Sequence, residues 1–162
     1  MVKKIVVWTM VFLTITSIFF FSTELGVHSQ ERSSKLTQLI LTEATGLVSN
    51  DFTGSPVAFD RIHYFIRKSG HIFEYMLLAF FLAMAIGSNH RGWFGKLLVI
   101  MLLCILFASI DEWIQTFTAG RSGRAMDVLI DSIGALTGII LYNIVCMGFG
   151  KLTFLNRKYL IK

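Results

Sequence analysis

Four apolar blocks dominate the sequence: Ile5 to Phe21, Ile72 to Ile86, Leu97 to Ile110 and Val128 to Phe149. A helix that crosses a bilayer needs about 20 mainly apolar residues. The first and fourth blocks nearly reach that length, and the middle two fall short. His71 and Glu74 stand at the start of the second block, and Asp111 and Glu112 at the end of the third. To cross about 30 Å of hydrocarbon at 1.5 Å per residue, both helices must take those residues into the apolar layer or to its margin. A charge at a helix centre costs about 2.5–3.5 kcal/mol on insertion scales and less near the interface. Such groups need partners, and the sequence has to supply them.

The chain is 54% hydrophobic and only 15% charged, which is more apolar than a soluble domain of this size. The expected fold is all-α: an integral membrane four-helix bundle, a single domain over 1–162. Its spans are expected at about 4–22, 69–87, 96–117 and 127–149, with an outer-face amphipathic helical segment between spans one and two. No internal repeat is visible, which together with so few spans disfavours a transporter. Lys3 and Lys4 precede the first block as in a signal peptide, but the block ends in Phe19-Phe20-Phe21-Ser22, too bulky for a cleavage site. An uncleaved first span is expected. Cys104 and Cys146 lie inside apolar blocks, where they read as small core residues without disulfide or metal spacing.

Four spans put both termini on one side. With the termini inside, the cytoplasmic segments hold Lys3, Lys4, Arg91, Lys96, Lys151, Arg157, Lys158 and Lys162 and no acidic residue. Basic residues near span ends favour the cytoplasm, so both termini are expected there. The net charge of +5 is then largely an inner-surface property suited to anionic membrane lipid. It is no argument for nucleic acid.

The external segment, 23–68, carries Leu36, Leu39, Ile40, Leu47 and Val48 at helical spacing, interspersed with Arg32, Lys35, Gln38 and Glu43. This pattern fits an amphipathic helix in the outer interface, or a helix packed on the spans. Ser55-Pro56 reads as an N-cap and first helical residue, Asn50 to Ser55 as the break before it, and Phe59, Ile62 and Ile66 extend a stripe toward span two.

This topology gathers the polar residues. His71, Glu74 and Tyr75 share a face of span two at i, i+3 and i+4. Asp111, Glu112 and Gln115 fall in the last turns of span three, and Asp127 and Asp131 in the first turns of span four. The loop between them carries Arg121 and Arg124. Five carboxylates thus collect at one leaflet, with Arg67, Lys68 and His71 as further cations. Protonation of some carboxyls, a bound divalent cation, or a cationic ligand would each balance the acidic excess.

Each group also has a plain structural reading. His71 and Glu74 would pair across a turn; Asp127 would cap span four. Arg121 would bind Asp111 or Glu112, and Gln115 would bridge helices. Gly134 and Gly138 form a small-residue patch for helix packing, or for a second copy in a homo-oligomer. As a group, five carboxylates at one depth are a costly way to join helices, which favours a site.

Arg67-Lys68-Ser69-Gly70-His71-Ile72-Phe73-Glu74-Tyr75 resembles the "RKxxHxxEY" signature of the VanZ-like membrane protein family. Asp111-Glu112-Trp113-Ile114-Gln115, with Gly120-Arg121 and the run from Asp127 through Asp131 to Gly134, resembles its "DExxQ…GR…DxxxDxxG" signature. Ser22-Thr23-Glu24 echoes the family's serine-rich segment after the first span. The resemblance implies a small helical protein of the bacterial cell membrane, of a family whose namesake is associated with low-level teicoplanin and lipoglycopeptide resistance. The expected ligands are a lipid head group, a lipid-linked wall precursor or an amphiphilic antibiotic. The candidate ligand-binding residues are His71, Glu74, Tyr75, Asp111, Glu112, Gln115, Arg121, Arg124, Asp127 and Asp131. The alternative is a membrane enzyme modifying a lipid-linked head group through acid/base chemistry or a divalent metal. No zinc-binding, phosphatase-like or nucleophile-elbow spacing supports that alternative.

Overall fold

The computed structural model describes residues 2–45, 56–87 and 93–159. Those residues form α1 (Val2–Ser22), α2 (Gly26–Thr45), α3 (Pro56–Ile86), α4 (Trp93–Phe117) and α5 (Ala125–Tyr159), with no strand among them. Four of these helices contain segments long and apolar enough to cross a membrane: Lys4–Ser22, Arg61–Ile86, Phe94–Phe117 and Ala125–Met147. The chain is an all-α membrane bundle. The second and third segments take in His71, Glu74, Asp111 and Glu112, as the shortness of their apolar blocks requires.

Helix α3 organises the packing and touches every other helix. It opens at Pro56, whose missing N–H costs nothing in a first turn. It stops at Gly87, which takes a left-handed φ of 84° and donates its N–H to the Ala83 carbonyl at 3.1 Å. Residues 56–68 are therefore one rod with the second span. The expected break at Asn50 to Ser55, and Leu47 and Val48, lie outside the described residues.

Tyr75, Leu78, Ala79 and Leu82 form the buried stripe of α3. They pack among Val11 and Ile18 of α1, Cys104 and Ala108 of α4, and Ala135 and Ile139 of α5. Gly134 and Gly138 bring α5 hard against α3. A Cβ on Gly134 would lie 2.4 Å from the Ile72 carbonyl oxygen, and one on Gly138 2.1 Å from that of Met76. The second contact is one turn further along both helices, so α3 and α5 run parallel and α4 returns between them. This small-residue patch is used within the chain and is not open to a second copy.

The outer surface is apolar. Phe12, Phe94, Leu98, Leu102, Leu129, Ile133, Ile140 and Ile144 are all exposed. A soluble monomer does not carry a continuous apolar surface of this extent; in a bilayer it is the lipid-facing side.

Helix α2 packs on the bundle, one of its two expected placements, but not through its leucines. Its inward face is Gly26, Ser29, Ser33 and Thr37, at spacings of three and four residues, with Ser29 and Thr37 buried and Ser33 half-buried. Leu36, Leu39 and Ile40 point outward and are exposed. Small hydroxyl residues permit close approach, and their hydroxyls find partners inside the chain: Thr37 donates to the Ser33 carbonyl at 2.8 Å, and Ser33 meets His63 Nε2 at 2.7 Å.

The glycine contacts predict opposite outcomes on one helix pair. Gly138→Leu drives a side chain into the α3 backbone and should destabilise the bundle by at least about 1–3 kcal/mol. Gly70→Ala on α3 meets nothing within 4 Å and should stabilise by about 0.5–1 kcal/mol. Thermal unfolding of the purified protein in detergent, followed by loss of monodispersity, measures both.

Candidate functional site

The polar residues of three spans meet at one end of the bundle. In α4, steps of about 100° per residue put Asp111, Glu112 and Gln115 within one arc, with Trp113 opposite. The first three are buried against the bundle, while Trp113 is exposed and stacks edge-on to Phe117 at 5.4 Å. The end of α1 is tied to this turn: buried Ser22 donates to the Asp111 carbonyl at 3.0 Å. From α3, His71 turns toward the other helices. Its Nδ1 lies 3.9 Å from Asp111 Oδ2 and 3.7 Å from Asp131 Oδ1. Among the described residues His71 makes no ion pair with Glu74, so the expected pair across a turn does not form.

Lys68 and Asp127 form a second junction between α3 and α5. Their side chains pair directly and are almost wholly buried, 8% and 10% exposed. Asp127 is thus not the cap of span four. It sits inside the first turn of α5, where a carboxylate also suits the helix dipole, and it turns to α3 because Lys68 needs a counter-charge there. The carboxylate that closes the start of α5 comes from α4, with Glu112 Oε2 accepting the Arg124 backbone N–H at 2.7 Å. Gln115 does not bridge helices either. Its Nε2 donates to Asp111 Oδ2 at 3.2 Å within α4, with a longer 3.4 Å contact to Glu112 Oε1.

The loop between α4 and α5 is fixed to the start of α2. Gly26 donates its N–H to the Ala119 carbonyl at 2.9 Å, and Gly120 turns there with a left-handed φ of 75°. Thr118 donates to the Ser22 carbonyl at 3.2 Å. Consequently Arg121 does not pair with Asp111 or Glu112. Its guanidinium donates to Ser29 Oγ at 2.6 Å, and among the described residues no carboxylate lies within 4.0 Å of it. Burial holds its pKa below the ordinary arginine value, opposed by the more distant Glu24 and Asp111 carboxylates. Arginine nevertheless stays charged. The Arg124 side chain is exposed; only its backbone reaches the cluster.

Beneath the loop the cluster is acidic. His71, Asp111, Glu112 and Asp131 present potential ligand atoms all within 4.8 Å of one another, and these are the residues able to hold a metal. Asp131 is 0% exposed and neither of its carboxylate oxygens has a hydrogen-bond partner. Asp111 Oδ1, His71 Nδ1 and the hydroxyl of fully buried Tyr75 are in the same condition.

Two cavities flank the cluster. The first, about 220 Å³, is lined by polar residues (Ser29, Arg32, Glu74, Asp111 and Arg121) and by apolar ones (Ile18, Phe21, Leu36 and Ile66). The second, about 280 Å³, is bordered by Arg67, Lys68, Gln115, Arg121, Arg124 and Asp127. His71 and Arg121 border both. Of the candidates read from sequence, His71, Asp111, Glu112, Gln115 and Asp131 form the floor and Tyr75 lies against it. Glu74 lines the first cavity, and Arg121, Arg124 and Asp127 surround the second.

Ser29 and Arg32 escape a pattern search because α2 reads as an interfacial helix. The signal that finds them is the Gly26, Ser29, Ser33, Thr37 spacing, a stripe of small residues. Arg32 is held by Glu24 at 2.7 Å and lies over the Phe21 ring at 4.5 Å.

A family model described as VanZ/LLP1 matches residues 6–146. No curated protein and no solved structure matches the chain.

The Lys68–Asp127 pair gives a stability test. Lys68→Met leaves Asp127 buried and unpaired, which should cost about 3–5 kcal/mol. Adding Asp127→Leu should restore most of the loss, because two apolar side chains in contact need no counter-charge. Thermal unfolding of the wild type, the single variant and the double variant in detergent measures the difference.

Proposed function

The chain belongs to the VanZ/LLP1 family and is a multi-pass membrane protein of the cell envelope, and on that footing we propose that its polar end binds the anionic head group of a membrane amphiphile. The candidates are a lipid, a lipid-linked wall precursor and a lipoglycopeptide. Both termini lie in the cytoplasm in this reading, so the site opens to the outer leaflet, where low-level protection against teicoplanin-type antibiotics would act.

One observation carries the proposal. Arg121 is a half-buried guanidinium with a neutral hydroxyl partner and no counter-ion within 4.0 Å among the described residues. Arginine grips a phosphate or carboxylate with two parallel hydrogen bonds. The cavity beside it is lined by both polar and apolar side chains, which suits a charged head with an acyl chain. Arg32 adds a second guanidinium to its lining. Exposed Leu36 and Leu39 on α2 keep the approach continuous with lipid.

A second reading rests on the crowding of His71, Asp111, Glu112 and Asp131: a membrane enzyme that modifies a lipid-linked head group. Lipid mass spectrometry of expressing cells separates the two. A species that appears with the wild type and vanishes with Glu112→Gln favours the enzyme.

For head-group binding, Arg121→Ala should weaken association with anionic lipid in nanodiscs by about 10–100-fold, the worth of a charge-assisted hydrogen bond. Arg121→Lys should lose less. In cells producing equal amounts of protein, Arg121→Ala and Glu112→Gln should reduce protection against a lipoglycopeptide. Unchanged binding and unchanged protection in both variants would remove this reading.

A further inference from the structure

We propose that His71, Asp111, Glu112 and Asp131 bind one divalent first-row transition cation between α3, α4 and α5. This site lies below the guanidinium rim and holds whether or not a head group binds above it.

The first argument is distance. Zinc bonds to nitrogen and oxygen run at 2.0–2.2 Å, so ligands on one ion lie about 3–4.4 Å apart, according to whether they are adjacent or opposite. The four residues place their candidate atoms within 4.8 Å of one another. The His71 Nδ1 contact to Asp131 Oδ1, at 3.7 Å, is too long for a hydrogen bond and falls inside that ligand-to-ligand range. The 4.8 Å bound exceeds the opposite-ligand distance by only a few tenths of an ångström.

Polar satisfaction is the second argument. Buried polar groups in folded proteins almost always have partners. Here both oxygens of Asp131, one of Asp111, and Nδ1 of His71 have none, on three different helices, at one point. A cation bound within this cluster would supply the missing partner to each of the three residues. The hydroxyl of Tyr75, equally buried, is unpartnered as well.

Charge excludes the protein's own cations as the answer. Lys68 is taken by Asp127 and Arg121 by Ser29, and the Arg124 side chain is exposed. Among the described residues no lysine or arginine nitrogen comes within 4.0 Å of Asp111, Glu112 or Asp131. The ligands are nonetheless oriented from behind. Gln115 Nε2 holds Asp111 Oδ2, leaving Oδ1 for an ion, and the Arg124 N–H holds Glu112 Oε2. Outer hydrogen bonds of this kind fix coordinating carboxylates in metal sites.

Donor chemistry narrows the ion. One imidazole with carboxylates and no thiolate suits Mn²⁺, Fe²⁺ or Zn²⁺ better than Ca²⁺ or Mg²⁺, which take oxygen alone. Cys104 is buried in the apolar core, packed with residues such as Ala108 and Ile139, and is no member of the set.

The test uses full-length protein in detergent, stripped with chelator and titrated with Mn²⁺ under electron paramagnetic resonance. The wild type should silence the free Mn²⁺ signal at a stoichiometry of about one per chain, and Zn²⁺ should restore it. Asp131→Asn and Asp111→Asn should each weaken binding at least about tenfold, since even outer residues of metal sites cost that much. Glu31→Gln, on the exposed face of α2, should bind as the wild type does. Should the Asp variants fail to fold, the wild type alone decides. Bound Mn²⁺ should show a nitrogen coupling in pulsed spectra, absent from His71→Gln. Wild-type protein that binds neither Mn²⁺ nor Zn²⁺, bound Mn²⁺ without nitrogen coupling, or affinity unmoved in folded Asp131→Asn would each overturn the site.

Discussion

An ionised side chain carried into hydrocarbon must find its partner on another helix, because the lipid offers none. That constraint organises this bundle. Lys68 on α3 and Asp127 on α5 complete each other, Glu112 on α4 closes the start of α5, and Ser22 at the end of α1 holds the turn at Asp111. Each contact joins two helices, so the polar end is fixed as a unit. The rest of the bundle serves the same geometry. Gly134 and Gly138 bring α5 into backbone contact with α3, and only at that separation do His71 and Asp131 come within 3.7 Å.

The residues of the floor were legible because ionisable groups inside apolar blocks are rare and their positions are dictated by span length. His71, Asp111, Glu112 and Asp131 had to lie at one depth once both short spans were extended to cross the bilayer. Their individual partners were not legible. Asp127 reads as a cap because sequence shows the helix start but not the reach of Lys68 from a different helix. Gln115 reads as an interhelical bridge, yet Asp111 lies one turn behind it on the same face and accepts the bond first.

Helix α2 shows a deeper limit. In water an apolar stripe marks the buried face; beside a bilayer it marks either the buried face or the lipid face. Leu36, Leu39 and Ile40 have the same periodicity in both cases. The deciding residues were the small ones, Gly26, Ser29, Ser33 and Thr37, which face inward. A Cβ on Gly26 would stand 2.2 Å from the Gly120 carbonyl oxygen, so this helix and the loop are fitted to each other at backbone distance.

That fit separates the charges of the site. The sequence leaves Arg121 free to pair with Asp111 or Glu112. Ser29 and the Gly26–Gly120 contact hold it above them instead, with a hydroxyl for its partner. The outcome is a cation at the rim with unspent charge and an acidic floor with unspent oxygens, separated by fixed backbone. Opposite charges left apart at the edge of an apolar layer, where the effective dielectric is low, attract their complements more strongly than the same groups in water. In the proposed reading the rim takes an anion and the floor a cation, and a phosphate lying over a divalent ion would satisfy both with a single arrangement of ligands.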